Sequence, residues 1–447
     1  MRRWAEVTAR MVPDQVGDWV LHDLPRLNTA ILDGRAPPGL LVTEADQRVL
    51  RHLPDPGRLA PGPARRLVVQ LGLLGASVAR HYQERTPDGR RHPERAFEPL
   101  LTGEQRIPFR RYFAALAGRT GTGHYGRDSY ASLVRWNVGT VRVRLRGEVV
   151  AELPGVFDDG RIRSYTGTPG EESFFLLVKQ GEAIESAVNR ELLPLTGAGA
   201  GPLGEEAGHR VRQATALLDG LRRLLVEFAT RPAGQTMTAE AFMDVFRQFA
   251  AHWAPDDIPP SGALDPEALK RDFLLGIALP GYDQQARRLF PALLDQERAE
   301  IGALMEAPPL PDRLLADLGS GDSGLALPAE QLRRLVARRP VLADWYRLLA
   351  MHAQVSGAHL MLSRKFLFKP QERREAAGLG DPGVVSNRTG TTGMTQTHLE
   401  RLTRARQRHA LAALRPVLIG RNPETAGHPG VRCPREAAAP VTVELVG

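Results

Sequence analysis

The sequence predicts a mainly α protein: a helical bundle domain with a smaller mixed N-terminal region containing a β-hairpin. Three observations point there. From Glu171 onward the apolar residues recur with the helical period, and Pro/Gly-rich breakers separate the runs. Strand-like alternation of any length is confined to Val138–Leu153. A chain of 447 residues is long enough for two or three domains and a large core.

The elements follow in order. Residues 1–60 mix short helical patterns with Pro and Gly and read as a loop-rich lead. Residues 64–83 are apolar almost all round, as a buried helix is. Residues 84–103 carry Pro87, Gly89 and Pro93 and read as a loop. Gly118–Gly126 is rich in Gly and Thr but lacks the Gly-Lys-Ser/Thr ending and a preceding strand, so it is no phosphate loop. Val138–Leu153 turns near Arg146-Gly147 and reads as a hairpin, the only substantial sheet expected. Helices are predicted at 171–195, 206–230, 238–253, 265–277, 283–306, 328–337, 341–368 and 394–413. Breakers fall at 197–204, 255–262 and 319–324. The GDSG at 321–324 has the letters of a serine-protease nucleophile in a helical, Leu-rich setting, and reads as a loop. Boundaries follow: 1–165 the mixed region, 166–415 the helical domain, 416–447 a Pro/Gly-rich tail with a short strand at PVTVELV.

Composition narrows the function classes. Apolar and charged shares of 42% and 25% are ordinary for a soluble protein. The net charge of +8 comes almost wholly from Arg, scattered among acids, and no run resembles a nucleic-acid arm. The single cysteine, Cys433, excludes a disulfide framework, a Cys-based metal cluster and C-x-x-C-H haem attachment. The N-terminus lacks an apolar core and does not read as a signal peptide. The most apolar run, near Leu67–Ala79, is too short for a bilayer. A cytoplasmic protein with a small-molecule partner, and no nucleic-acid or membrane partner, is expected. Oligomeric state is not legible.

Among the candidate residues, His359 sits between Leu360, Met361, Leu362, Phe366 and Phe368, followed by a Gly/Thr-rich stretch. An imidazole on such a wall suits an axial ligand to a flat apolar cofactor, haem above all. A lone histidine on an apolar face is more often a core residue, and His352, seven residues earlier, lies on nearly the same stripe. Periodicity does not choose between them. The segment Gln371–Gly393, with five glycines and few apolar residues, reads as a lid.

Several stretches, taken in order, resemble the indoleamine 2,3-dioxygenase family. More loosely, they resemble the haem superfamily that also holds tryptophan dioxygenase and the pyrrolnitrin-pathway tryptophan-rearranging enzyme. The resemblance covers roughly Tyr130 to Arg406. AFMDVFRQFAAHW at 241–253 is similar to the family's distal helix, where Phe stacks over the indole, Arg binds the substrate carboxylate and Trp follows; Phe242, Arg247 and Trp253 match. SFFLLVKQGE at 173–182 resembles a second distal helix and puts Phe174 against the indole. YASLVRWN at 130–137 resembles the segment whose Tyr, here Tyr130, lines the same pocket. Lys365-Phe366 resembles the family's pair after the axial histidine, which selects His359. GTTG at 390–393 resembles the loop whose Thr reaches the substrate amino group, giving Thr391 with Gly390 and Thr392 beside it. Ser261, Gly262 and Ala263 resemble a small-residue haem contact, and DFLLGI at 272–277 the helix after it.

The resemblance implies non-covalent haem b with His359 as its only protein ligand, O2 as co-substrate, and L-tryptophan or a tryptophan-derived indole opened at its C2–C3 bond. Departures accompany it. Val178 stands at the distal serine. Ser356 replaces an Arg that partners the acid at Asp272 near a haem propionate, so that partner is expected to be lost. The segment from Trp253 to Ser261 is shorter. Val178, Phe174 and Phe242 offer no proton donor, which favours attack of O2 on an electron-rich ring over acid-driven O–O cleavage. The alternatives are a pyrrolnitrin-type rearrangement or monooxygenation in secondary metabolism, and a haem-binding sensor without turnover.

Overall fold

The computed structural model describes residues 15–124, 126–197, 201–232, 236–319, 325–378, 395–419 and 440–446. Fifteen α-helices run through them. They are α1 Leu24–Leu32, α2 Pro38–Arg48, α3 Pro61–Arg85, α4 Phe109–Thr120, α5 Pro169–Leu192, α6 Glu205–Thr230, α7 Pro266–Leu275 and α8 Tyr282–Leu289. The remainder are α9 Asp295–Glu306, α10 Leu310–Asp317, α11 Ala329–Arg338, α12 Val341–Ser363, α13 Lys369–Ala376, α14 Gln396–Gln407 and α15 Arg415–Ile419. The mainly helical class follows directly from the sequence pattern. None of the described helices is long and apolar enough to cross a membrane.

The hairpin forms as the alternation requires. β3 Val141–Leu145 and β4 Glu148–Leu153 pair antiparallel across Arg146-Gly147, both with positive φ, the two-residue turn whose twist matches the strands. Val141, Val143 and Leu145 face inward onto α5, α6 and α12. The sheet is larger than the hairpin alone, because β5 Val441–Leu445 pairs with the other edge of β3. A second strand pair, β1 Leu101–Thr102 with β2 Ile107–Pro108, is too short to leave a pattern in sequence.

Four expectations need correction. The first sixty residues are not loop-rich where described: α1 and α2 lie there, each with Pro at its first or second position, where the missing N–H costs nothing. The 283–306 run is two helices, split at Pro291. Helices α4 and α10 had not been expected.

The fourth correction matters most. Residues 238–253 are not one helix but a π turn, Ala241–Val245, and a 3-10 turn, Phe246–Phe249, ending before Ala250. The stripe of Phe242, Phe246, Phe249 and Trp253 therefore splits between two places. Trp253 packs among Phe97, Phe109 and Phe113 in the N-terminal core. Phe249 stacks on Tyr165 at 4.1 Å. Two buried arginines hold the irregular backbone. Arg80 donates to the Val245 carbonyl at 2.8 Å, and Arg127 binds Asp257, which accepts from Trp253 N–H at 2.8 Å. Side chains thus satisfy backbone groups that a helix would have paired internally.

One apolar core joins the N-terminal helices to Phe175 and to residues of 249–301; another fills the space between β3, α5, α6 and α12. Lys179, buried in α5, donates to carbonyls of Arg135, Val138 and Pro154 and so fixes the hairpin to this helix; burial brings its ammonium down to about 7.

Candidate functional site

Helices α5 and α12 run antiparallel along the two long walls of a cavity of about 400 Å³. Their direction shows in their contacts. The N-terminal end of α5 meets the C-terminal end of α12 through Phe174, Phe242 and Phe366, while Glu185 and His352 stand at the other end. Phe174 and Glu185 are eleven positions apart, roughly 16 Å of helix. Gly181 and Val178 lie between them on the same face.

The aromatic end is built by Phe174, Phe242, Phe246 and Phe366. Phe174 lies 5.3 Å from Phe242 and 5.1 Å from Phe246, in tilted and edge geometries that stabilise such clusters. Arg247 follows in the 3-10 turn and borders the same space. It is buried, which brings its guanidinium down to about 10, still cationic at neutral pH. Among the described residues, three of four π turns supply cavity side chains: Ala131–Arg135 with Leu133 and Val134, Ala241–Val245 with Phe242, and Arg364–Phe368 with Phe366. Such turns re-aim side chains that a regular helix would place elsewhere.

His359 lies on the α12 wall midway between the two ends, seven residues from His352 and seven from Phe366. Protein surrounds it, yet its side chain keeps accessible surface, and that surface opens into the cavity. No hydrogen bond reaches either ring nitrogen among the described residues. Burial, with Arg406 nearby, lowers its basicity, so the imidazole is neutral at neutral pH. His352 differs. It is fully buried, with Nε2 3.3 Å from Asp272 Oδ1, an electrostatic contact without hydrogen-bond alignment. Burial lowers its pKa to about 4.

Every described residue that the sequence singled out for substrate or cofactor lines this one cavity: Tyr130, Phe174, Val178, Phe242, Arg247, Ser261, Gly262, Ala263, His359 and Phe366. Trp253 does not. Gly390, Thr391 and Thr392 lie outside the described residues. So does most of the expected lid, and its first residues, 371–376, belong to α13.

Sequence reasoning missed the polar end. Asp272 does not lack a partner, as the Ser356 substitution had suggested. Arg406 of α14 donates to it from Nε at 3.2 Å and Nη2 at 2.6 Å, and to Ser356 Oγ from Nη1 at 2.7 Å. Tyr282 adds its hydroxyl at 2.5 Å. Burial alone would raise the Asp272 carboxyl; Arg406 and His352 outweigh it and hold it well below the usual range. Serine is short enough at 356 to admit the Arg406 side chain, a compensation fifty positions away that no local spacing reveals. Beside it, Arg271 binds Glu185 at 2.6 Å, and the Tyr130 hydroxyl lies 3.3 Å from Asp265 Oδ2.

The donor set suits one class of prosthetic group. No cluster of three or more His, Cys, Asp or Glu side chains able to hold a bare metal ion occurs among the described residues. A neutral imidazole with no hydrogen-bond partner among the described residues, facing an apolar space between two helices, fits a flat apolar cofactor that would be held by a single histidine. Neither the family models nor the curated proteins searched match this chain.

Proposed function

We propose that the chain is a haem-dependent oxygenase acting on L-tryptophan or a tryptophan-derived indole, opening the C2–C3 bond with both atoms of O2. The observation that carries this reading is the convergence on one apolar cavity of ten residues chosen from sequence, among them His359, whose imidazole no hydrogen bond reaches among the described residues. Haem, when bound, supplies the site at which O2 is activated. The chain's own residues do the rest. His359 would hold the haem through a ring nitrogen. Phe174, Phe242 and Phe246 enclose a flat ring and exclude water. Arg247 binds a carboxylate bidentately at the edge of that slot. Val178 offers no proton, so the aromatic end relies on orientation and electron density at the indole ring.

The test is direct. The protein is loaded with haem, reduced, and given L-tryptophan and labelled O2, and the product is weighed by mass spectrometry. Two labelled atoms in one N-formyl product are expected. A single labelled atom means monooxygenation, a rearranged ring means the pyrrolnitrin-type reaction, and failure to retain haem removes the reading altogether.

A further inference from the structure

A second space lies outside the cavity, in a groove of about 580 Å³ between α8 and α14. Gln284, Gln285 and Arg288 line it from one face of α8. His398 and Arg401, three positions apart on one face of α14, line it from the other helix. Ile258, Leu279 and Leu289 add apolar surface. The groove thus offers two guanidinium groups, two amides and an imidazole beside an apolar patch. Neither the resemblance nor the proposed chemistry uses any of them.

The charges in this groove are one-sided. No acid lines it among the described residues. Other arginines of the same region are matched: Arg287 with Glu306, and Arg364 and Arg404 with Glu400. Arg288 and Arg401 touch no carboxylate among the described residues, and both are exposed. His398 is held below its ordinary range by burial and by Arg401 beside it, the effect of a cation whose charge is not cancelled nearby. Like charges on the two helices of one groove repel until an anion lies between them.

We propose that this groove binds a small phosphate monoester, its head between Arg288 and Arg401 and its apolar body on Ile258, Leu279 and Leu289. Two guanidinium groups match a dianion with three acceptor oxygens better than a carboxylate, which brings one charge and two oxygens. Gln284 and Gln285 supply further amide donors along the same wall. The ligand also has a structural consequence. Tyr282 of α8 and Arg406 of α14 both donate to Asp272, so the two helices already share one buried anchor. An anion held by Arg288 and Arg401 gives them a second link. The site needs no haem and stands whether or not the cavity holds one.

The experiment is calorimetry on the full chain without haem, at fixed ionic strength, with butyl phosphate, inorganic phosphate and pentanoate as probes. Butyl phosphate should bind saturably and more tightly than either of the others. Arg288→Ala and Arg401→Ala should each weaken it about tenfold or more, as loss of a hydrogen bond to a charged group does. Both side chains are exposed, so the variants should fold. Arg287→Ala, on the same helix but paired with Glu306 and outside the groove, should leave binding unchanged. Bound butyl phosphate should also raise the melting temperature of the unaltered chain and not that of the Arg288→Ala variant. Absence of saturable binding, or equal affinity for inorganic phosphate or pentanoate, would overturn the proposal. So would binding that survives both groove substitutions, or that falls as much with Arg287→Ala.

Discussion

Arg406 and Asp272, 134 residues apart in sequence, form a two-bond ion pair in which the carboxylate is fully buried and the guanidinium nearly so. Through the same guanidinium, α14 is fastened to Ser356 on α12. Removing the cation would strand a buried charge. Arg406→Ala should therefore destabilise the protein by about 3–5 kcal/mol, and Arg406→Lys should restore only part because the fork geometry is lost. The sign of the pH dependence is fixed by the depressed carboxyl. The stability it contributes is complete above the unfolded pKa, roughly 3.9, and is lost as pH falls through the lower folded value. Denaturant midpoints of both variants, at neutral and acid pH, check this.

His352 and His359 should separate cleanly. His359→Ala should abolish haem retention, seen as loss of the Soret band, while His352→Ala should keep it. The reverse outcome would assign the axial role to the wrong ring. His352 also leaves a pH signature that needs no haem. His352 has a folded pKa of about 4, below the unfolded value near 6.5. Between those values the unfolded chain binds a proton that the folded chain does not, so stability falls as pH falls through that window. His352→Gln should flatten this part of the profile, measured by thermal melts across the range.

Arg247 should govern affinity and leave haem content alone. Arg247→Ala is expected to weaken tryptophan binding by roughly 2–5 kcal/mol, with Arg247→Lys intermediate. Equal affinity of the unaltered protein for tryptophan and tryptamine, measured calorimetrically, would remove the carboxylate role.

Gly75 tests the support of the aromatic end from behind. A Cβ there would overlap the Trp253 ring, in the core that anchors the segment after Arg247. Gly75→Ala should cost about 1–3 kcal/mol of stability through overpacking. The parallel readout is ligand affinity, which should fall along with the melting temperature if the segment shifts.

The helical class, the hairpin and the strand in 441–445 were legible because each rests on a local period or a turn signal. Helix α5 was legible for the same reason: Phe174, Val178 and Gly181 share one face by spacing alone. The 241–253 segment was not. Its residues have a helical stripe, but Trp253 gains more in the N-terminal aromatic core, and Arg80 and Arg127 satisfy the backbone that unwinds to let it go. The two histidines show the complementary limit. Spacing makes them equivalent, and only the neighbours differ, since Asp272 stands beside one and open space beside the other. Arg406 was invisible because its partners, Asp272 and Ser356, come from distant helices, with nothing in the local pattern to mark them.

The pairing of β5 with β3 has a consequence for biosynthesis. The central strand of the sheet receives its second neighbour from residues made three hundred positions later. Until then the edge of β3, with Val141 and Val143, has no backbone partner on that side, the kind of edge that recruits strands from other chains. Val441 also seats against Gly220 of α6, where no larger residue leaves room. A nascent chain therefore carries an adhesive edge through most of its translation, and loss of the last strand would surface as aggregation during expression before any effect on the cavity was measurable.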